Sequence, residues 1–171
     1  MQISAQEIAP LVSELNAIAS SAANADALMN SVVNLLHEKL TRYNWVGFYM
    51  IDEKDSNMLV LGPFRGGMTP HTRIPLNQGI CGAAASSGQT VVVDDVNKDP
   101  RYLACSLETK SEIVVPIFAK EKSSVNSTLT ATSSPPSVRT IAYSANTPPS
   151  SSANSSNRIP DKTFYRAAGA R

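Results

Sequence analysis

Aromatic residues make up only 6% of this 171-residue chain, and a single tryptophan, Trp45, stands among them. Cysteine is scarcer still, with only Cys81 and Cys105. So few cysteines exclude a disulfide-built scaffold, and they read instead as buried or catalytic thiols. Histidine occurs twice, at His37 and His71, and neither has neighbouring ligand residues, so no metal site is expected. An excess of either charge is also missing. Fifteen basic residues face 14 acidic ones for a net +1, which leaves no electrostatic footprint for nucleic acid or a membrane. No apolar run approaches the roughly 20 residues of a membrane span. The beginning of the chain lacks the basic-then-apolar pattern of a signal peptide. These absences leave a cytoplasmic protein as the expectation, and 42% hydrophobic content supplies a core for one domain.

What is present is organised by spacing. Ser4 and Glu7 form a capping-box pattern that opens a helix to about Ala19, with Ile8, Leu11, Leu15 and Ile18 as apolar residues. Leu28, Val32, Leu35, Leu36 and Leu40 repeat at helical spacing and predict a second helix from near Ala25 to Leu40. Trp45–Ile51 and Met58–Phe64 are apolar runs separated by the charged stretch Asp52–Asn57, which predicts a hairpin. Gly66–Pro70 reads as a loop. The small, Ala-rich Gly79–Ser87 suits a short helix packed close to a sheet. Val91–Val93 and Ile113–Phe118 are β-branched strands, with Asp99-Pro100 marking a turn between them. Helices first and hairpin-spaced strands later predict an α/β domain around a mostly antiparallel sheet.

Beyond Lys122 the composition changes. Ser123 to about Asn157 is rich in Ser, Thr, Pro and Asn, with Pro135-Pro136 and Pro148-Pro149, and lacks strand or helical periodicity. Composition assigns residues 1–122 to the folded domain and 123–171 to a disordered tail, because such a segment buries too little apolar surface to offset chain entropy.

The chemistry concentrates in two stretches. Cys105 follows Tyr102 on a loop that precedes a strand, where a thiol meets a ligand and Lys110 helps to stabilise a thiolate. Cys81 opens the short helix, where backbone N–H groups and the helix dipole lower a thiol pKa. A small buried hydrophobe is the commoner fate of each cysteine. Glu112 is a lone acid at the start of an apolar strand, ordinarily a rim residue. Trp45 and Tyr49, four apart on a strand, share one face and wall a pocket or simply pack a core.

The strings NWVGFY (Asn44–Tyr49) and IPLNQGICGAAASSGQTVVVDDVNKDPRYLACSLETKSEIVVPI (Ile74–Ile117) closely resemble the GAF-domain family of free methionine-(R)-sulfoxide reductases. The resemblance covers roughly residues 1–120. It implies a GAF-like α/β fold and reduction of the free amino acid L-methionine (R)-S-oxide. Cys105 matches the catalytic cysteine and Cys81 a second family cysteine. Glu112 matches the acid that holds the substrate ammonium, and Trp45 and Tyr49 match the aromatics around its methyl group. The implied cycle passes from thiolate through sulfenic acid to a disulfide that a thioredoxin-type donor reduces, with no bound metal or organic cofactor. A non-catalytic GAF sensor and an inactive relative remain alternatives, and a homodimer stays open.

Two departures stand out. His71 occupies the position where many members carry a third, resolving cysteine. After Ile113–Pro116 the family continues with a strand reading like GxLDIDS, whose aspartates complete the site, and a closing helix. Neither is visible here, so the sheet is expected to lack its last strand and closing helix. Loss of one base in the codons for Lys120–Lys122 produces such a change: reading Ser123–Thr132 one base back permits VVGELDIDSH.

Overall fold

The computed structural model describes residues 5–41, 43–104, 109–118 and 127–133. Helix α1 spans Ala5–Ser21 and α2 spans Ala25–Lys39, as the apolar spacing predicts. Asn24 caps α2, its side chain accepting from the Ala27 N–H at 2.8 Å, and Asp26 sits in the first turn where the helix dipole favours an acid. The capping-box residue Ser4 lies outside the described residues.

Strands β1 (Trp45–Ile51) and β2 (Met58–Gly66) form the expected hairpin. Its turn is closed by two Asx bonds, Asp52 accepting from Lys54 N–H and Asp55 from Asn57 N–H, each at 3.0 Å. The short β3 (Arg73–Pro75) adds to β2, and its start is tied to the turn after β1 by an ion pair between Arg73 and Asp52. Helix α3 (Gly79–Ser87) leads to β4 (Val91–Val93), a 3-10 turn (Val96–Lys98) and β5 (Ser111–Ile117). Strand β6 (Ser127–Ser133) completes a six-stranded sheet of order β3-β2-β1-β6-β5-β4, every described pairing antiparallel.

Strand β6 corrects one expectation. The sheet does not lack its last strand, for Ser127–Ser133 runs between β1 and β5 and pairs with both. The physical reason is twofold. The facing edges of β1 and β5 would otherwise leave two rows of unpaired N–H and C=O groups inside the sheet. The segment itself alternates with Thr128, Thr130 and Thr132 and carries no glycine or proline, so its β-branched residues suit a strand despite low overall hydrophobicity. The expected closing helix lies outside the described residues.

Side-chain alternation divides the core in two. Val46 and Phe48 of β1, with Ile113 and Val115 of β5, pack with Met29, Val33 and Leu36 of α2. Trp45 and Tyr49, with Val114, pack on the other face with Ile80, Cys81, Ala84 and Ala85 of α3. Trp45, Tyr49, Cys81 and Glu112 share this second face, so the pleat decides which of them meet.

Candidate active site

Two glycines bring the α3 face together. A Cβ on Gly47 would stand 2.5 Å from Trp45 Cη2 and 2.6 Å from Phe64 Cβ, so the indole lies across its own strand only because residue 47 has no side chain. A Cβ on Gly82 would stand 2.8 Å from the carbonyl oxygens of both Pro75 and Leu76. Helix α3 therefore seats directly on the chain after β3, which fixes the preceding residue, Cys81, against the sheet.

Trp45 lies near-parallel to Tyr49, at 6.2 Å between centroids and 25°, and to Phe64, at 5.7 Å and 17°. The three rings form one apolar wall. The Tyr49 hydroxyl donates to the His71 carbonyl at 2.6 Å, and the His71 N–H donates to Thr69 Oγ1 at 3.1 Å. Tyr49 thus anchors the loop that carries His71. Among the described residues, Trp45 Nε1 is buried with no hydrogen-bond partner, as are the hydroxyls of Thr109 and Ser111.

Glu112 is the one buried acid among the described residues. Only 4% exposed, it pairs across the ladder with Val93 of β4 and Thr132 of β6. Burial raises its pKa to about 7, a shift opposed by a hydrogen bond from Cys81 and reinforced by the charge of Asp99. The Cys81 thiol donates to Glu112 Oε1 across 3.7 Å. Asp99 remains ionised because Arg101 holds its carboxyl below the usual carboxylate range, through a hydrogen bond at 2.7 Å.

The ladder links the acid to the aromatic wall. Thr132 is the cross-strand partner of both Trp45 and Glu112, so these two occupy one rung at a separation of two strand spacings, about 10 Å. Of the residues singled out in the sequence, the structure unites Trp45, Tyr49, Cys81 and Glu112 on one face. Cys105 lies outside the described residues. Sequence reasoning missed Phe64, Asp99 and the Cys81–Glu112 contact. Phe64 had a signal, since the hairpin register sets it opposite Gly47. Among the described residues, no three His, Cys, Asp or Glu side chains are placed to hold a metal ion.

A model of the GAF domain family matches residues 24–140. The chain is 35% identical to the free methionine-R-sulfoxide reductase of Escherichia coli over 114 residues, 67% of each chain. It is 49% identical to that of Saccharomyces cerevisiae over 78 residues, 46% of this chain. It superimposes on the Neisseria meningitidis free methionine-R-sulfoxide reductase in complex with its substrate with a TM-score of 0.65 and 37% identity, over 78% of each chain. The chain belongs to the GAF-domain family of free methionine-R-sulfoxide reductases. It spans 43% of the yeast relative's length and about two thirds (67%) of the E. coli one.

Among the described residues, no helix is long and apolar enough to cross a membrane.

Proposed function

We propose that this chain reduces free L-methionine (R)-S-oxide to L-methionine in the cytoplasm. The observation that carries the reading is a buried carboxyl that shares a rung of the sheet with one ring of an aromatic wall. A buried carboxylate without a cation is costly to keep charged, and an incoming ammonium restores the charged form at neutral pH. Glu112 is thus suited to the substrate ammonium. Trp45, Tyr49 and Phe64 are suited to the methyl and methylene groups.

In this reading the Cys105 thiolate attacks the sulfoxide sulfur. The oxygen passes to the Cys105 sulfur as the substrate's sulfur–oxygen bond breaks, two electrons pass to the substrate, methionine leaves, and one proton taken up from solvent completes the sulfenic acid on Cys105. Cys81 then condenses with it, releasing water and forming a disulfide that a thioredoxin-type donor reduces. The relatives named for this activity support the substrate, and the residue types support the chemistry.

The test is NADPH consumption by the chain with thioredoxin, its reductase and the separated sulfoxide epimers. Turnover of the R epimer that disappears in Cys105→Ser is expected. Binding of methionine sulfoxide without turnover would assign the chain to the sensor class instead. Turnover surviving Cys105→Ser would exclude the nucleophile.

A further inference from the structure

A carboxyl that only receives an ammonium has no need of a thiol donating to it, yet Cys81 does so from the first turn of α3. We propose that Glu112 is also the general base for Cys81, taking its proton when the thiol attacks. This inference rests on the reductase reading above and gives one carboxyl two tasks in sequence.

The geometry supplies each requirement of a base. The donor and acceptor already meet at 3.7 Å in a buried site, within the range of a sulfur hydrogen bond. Cys81 is itself only 4% exposed, so a proton leaving it passes to protein rather than to bulk water. The first turn of α3 carries no acidic residue and its N-cap, Gln78, makes no side-chain cap bond. The helix dipole therefore favours negative charge developing on the sulfur. The charged group acting on Glu112 besides is Asp99, which raises its proton affinity. An acceptor whose affinity lies near neutrality is matched to proton transfer at working pH.

The step balances without an external reagent. As methionine leaves, the substrate ammonium departs and Glu112 is freed. The Cys81 S–H proton moves to Oε1 while its sulfur bonds to the sulfenic sulfur of Cys105. The sulfur–oxygen bond breaks, and the departing hydroxide recovers the proton from Glu112 and leaves as water. Both sulfurs end in the disulfide, and the carboxylate is regenerated.

The test requires no methionine sulfoxide, so its failure is separate from failure of the reductase reading. In Cys105→Ser the single remaining cysteine is Cys81. Its oxidation by hydrogen peroxide is followed against pH, in the range where the rate is first order in peroxide, with and without Glu112→Gln. A base predicts that Glu112→Gln slows the reaction about 100-fold at pH 7.5. A carboxylate acting only as a neighbouring charge predicts the opposite sign, because removing it lowers the thiol pKa and speeds the reaction. An unchanged or faster rate would overturn the proposal. The same reaction in deuterium oxide, with Glu112 intact, provides a readout independent of that variant's folding. A normal solvent isotope effect on the rate is expected, and its absence would equally refute a proton in flight.

Discussion

Glu112→Gln should make the protein more stable at pH 8 and leave its stability unchanged near pH 4.5. The native carboxyl titrates at about 7 against an ordinary value of 4.5. The folded state therefore holds the proton more tightly than the unfolded chain, and native ionisation carries a penalty. Below pH 4.5 both states are protonated and nothing is lost. Between 4.5 and 7 the unfolded chain ionises first, and stability falls as pH rises. Above 7 the penalty is complete, at ~1.4 kcal/mol per pKa unit, or about 3 kcal/mol for the shift from 4.5 to about 7. Glutamine has the same shape and no charge, so it removes this cost while forfeiting the ammonium partner. Asp52, Asp95 and Asp99 have lowered pKa values and contribute stability that is lost only below their unfolded value of 3.8. They leave the window from pH 4.5 to 8 clear. Urea denaturation of both proteins across that window is the assay. A difference that grows with pH to about 3 kcal/mol is expected. Curves that run parallel would refute the claim that burial controls this carboxyl, and a wild type that gains on the variant as pH rises would reverse its sign.

Three further substitutions probe the parts around the acid. Gly47→Ala forces a methyl into Trp45 and Phe64 and should cost about 1–3 kcal/mol, with a shift in Trp45 fluorescence; an unshifted spectrum and midpoint would contradict the contact. Tyr49→Phe keeps the ring but loses the bond to His71, so amide exchange of Thr69, His71 and Thr72 should accelerate, consistent with about 0.5–1.5 kcal/mol. Exchange rates matching the wild type would show that the hydroxyl anchors nothing. Thr130→Pro removes a central ladder N–H from β6 and should abolish the cooperative thermal transition; a melt like the wild type's would remove β6 from the sheet. At the gene level, resequencing the codons for Lys120–Lys122 should reveal a missing base, and an intact frame in independent isolates would dispose of the frameshift.

The helices and the β1–β2 hairpin were legible because their apolar periods are long and unambiguous. Leu28, Leu35 and Leu36 repeat at helical spacing, while Trp45 and Tyr49 flank Gly47 on a strand face. Strand β3 was not legible, since three residues beginning with an arginine carry no period. The site was legible as a set of residue types but not as a geometry. Nothing local links Cys81 to Glu112 across 31 positions; the seat of α3 on the carbonyls of Pro75 and Leu76 creates that contact. The near-neutral carboxyl was equally hidden, because its cause is burial contributed by β4, β6 and α3 rather than by its neighbours in sequence.

Strand β6 shows why composition misled about Ser127–Ser133. Central strands are held largely by ladder hydrogen bonds, which are indifferent to side-chain identity, so the slot between β1 and β5 accepts a Ser/Thr-rich segment. Side-chain identity matters instead to the chemistry on the rungs. Position 128 stands between Tyr49 and Pro116, position 130 between Gly47 and Val114, and position 132 between Trp45 and Glu112. The chain has threonine at all three. Read one base back, the codons at positions 128 and 130 permit aspartate, four and two residues along β6 from the partner of Glu112. Carboxylates there would add negative potential around an incoming ammonium and raise the proton affinity of Glu112 further. In the function proposed above, threonine at those positions leaves a larger share of ammonium recognition to Glu112. Substrate affinity in this chain should consequently follow the ionisation of that single carboxyl, rising as pH passes through about 7.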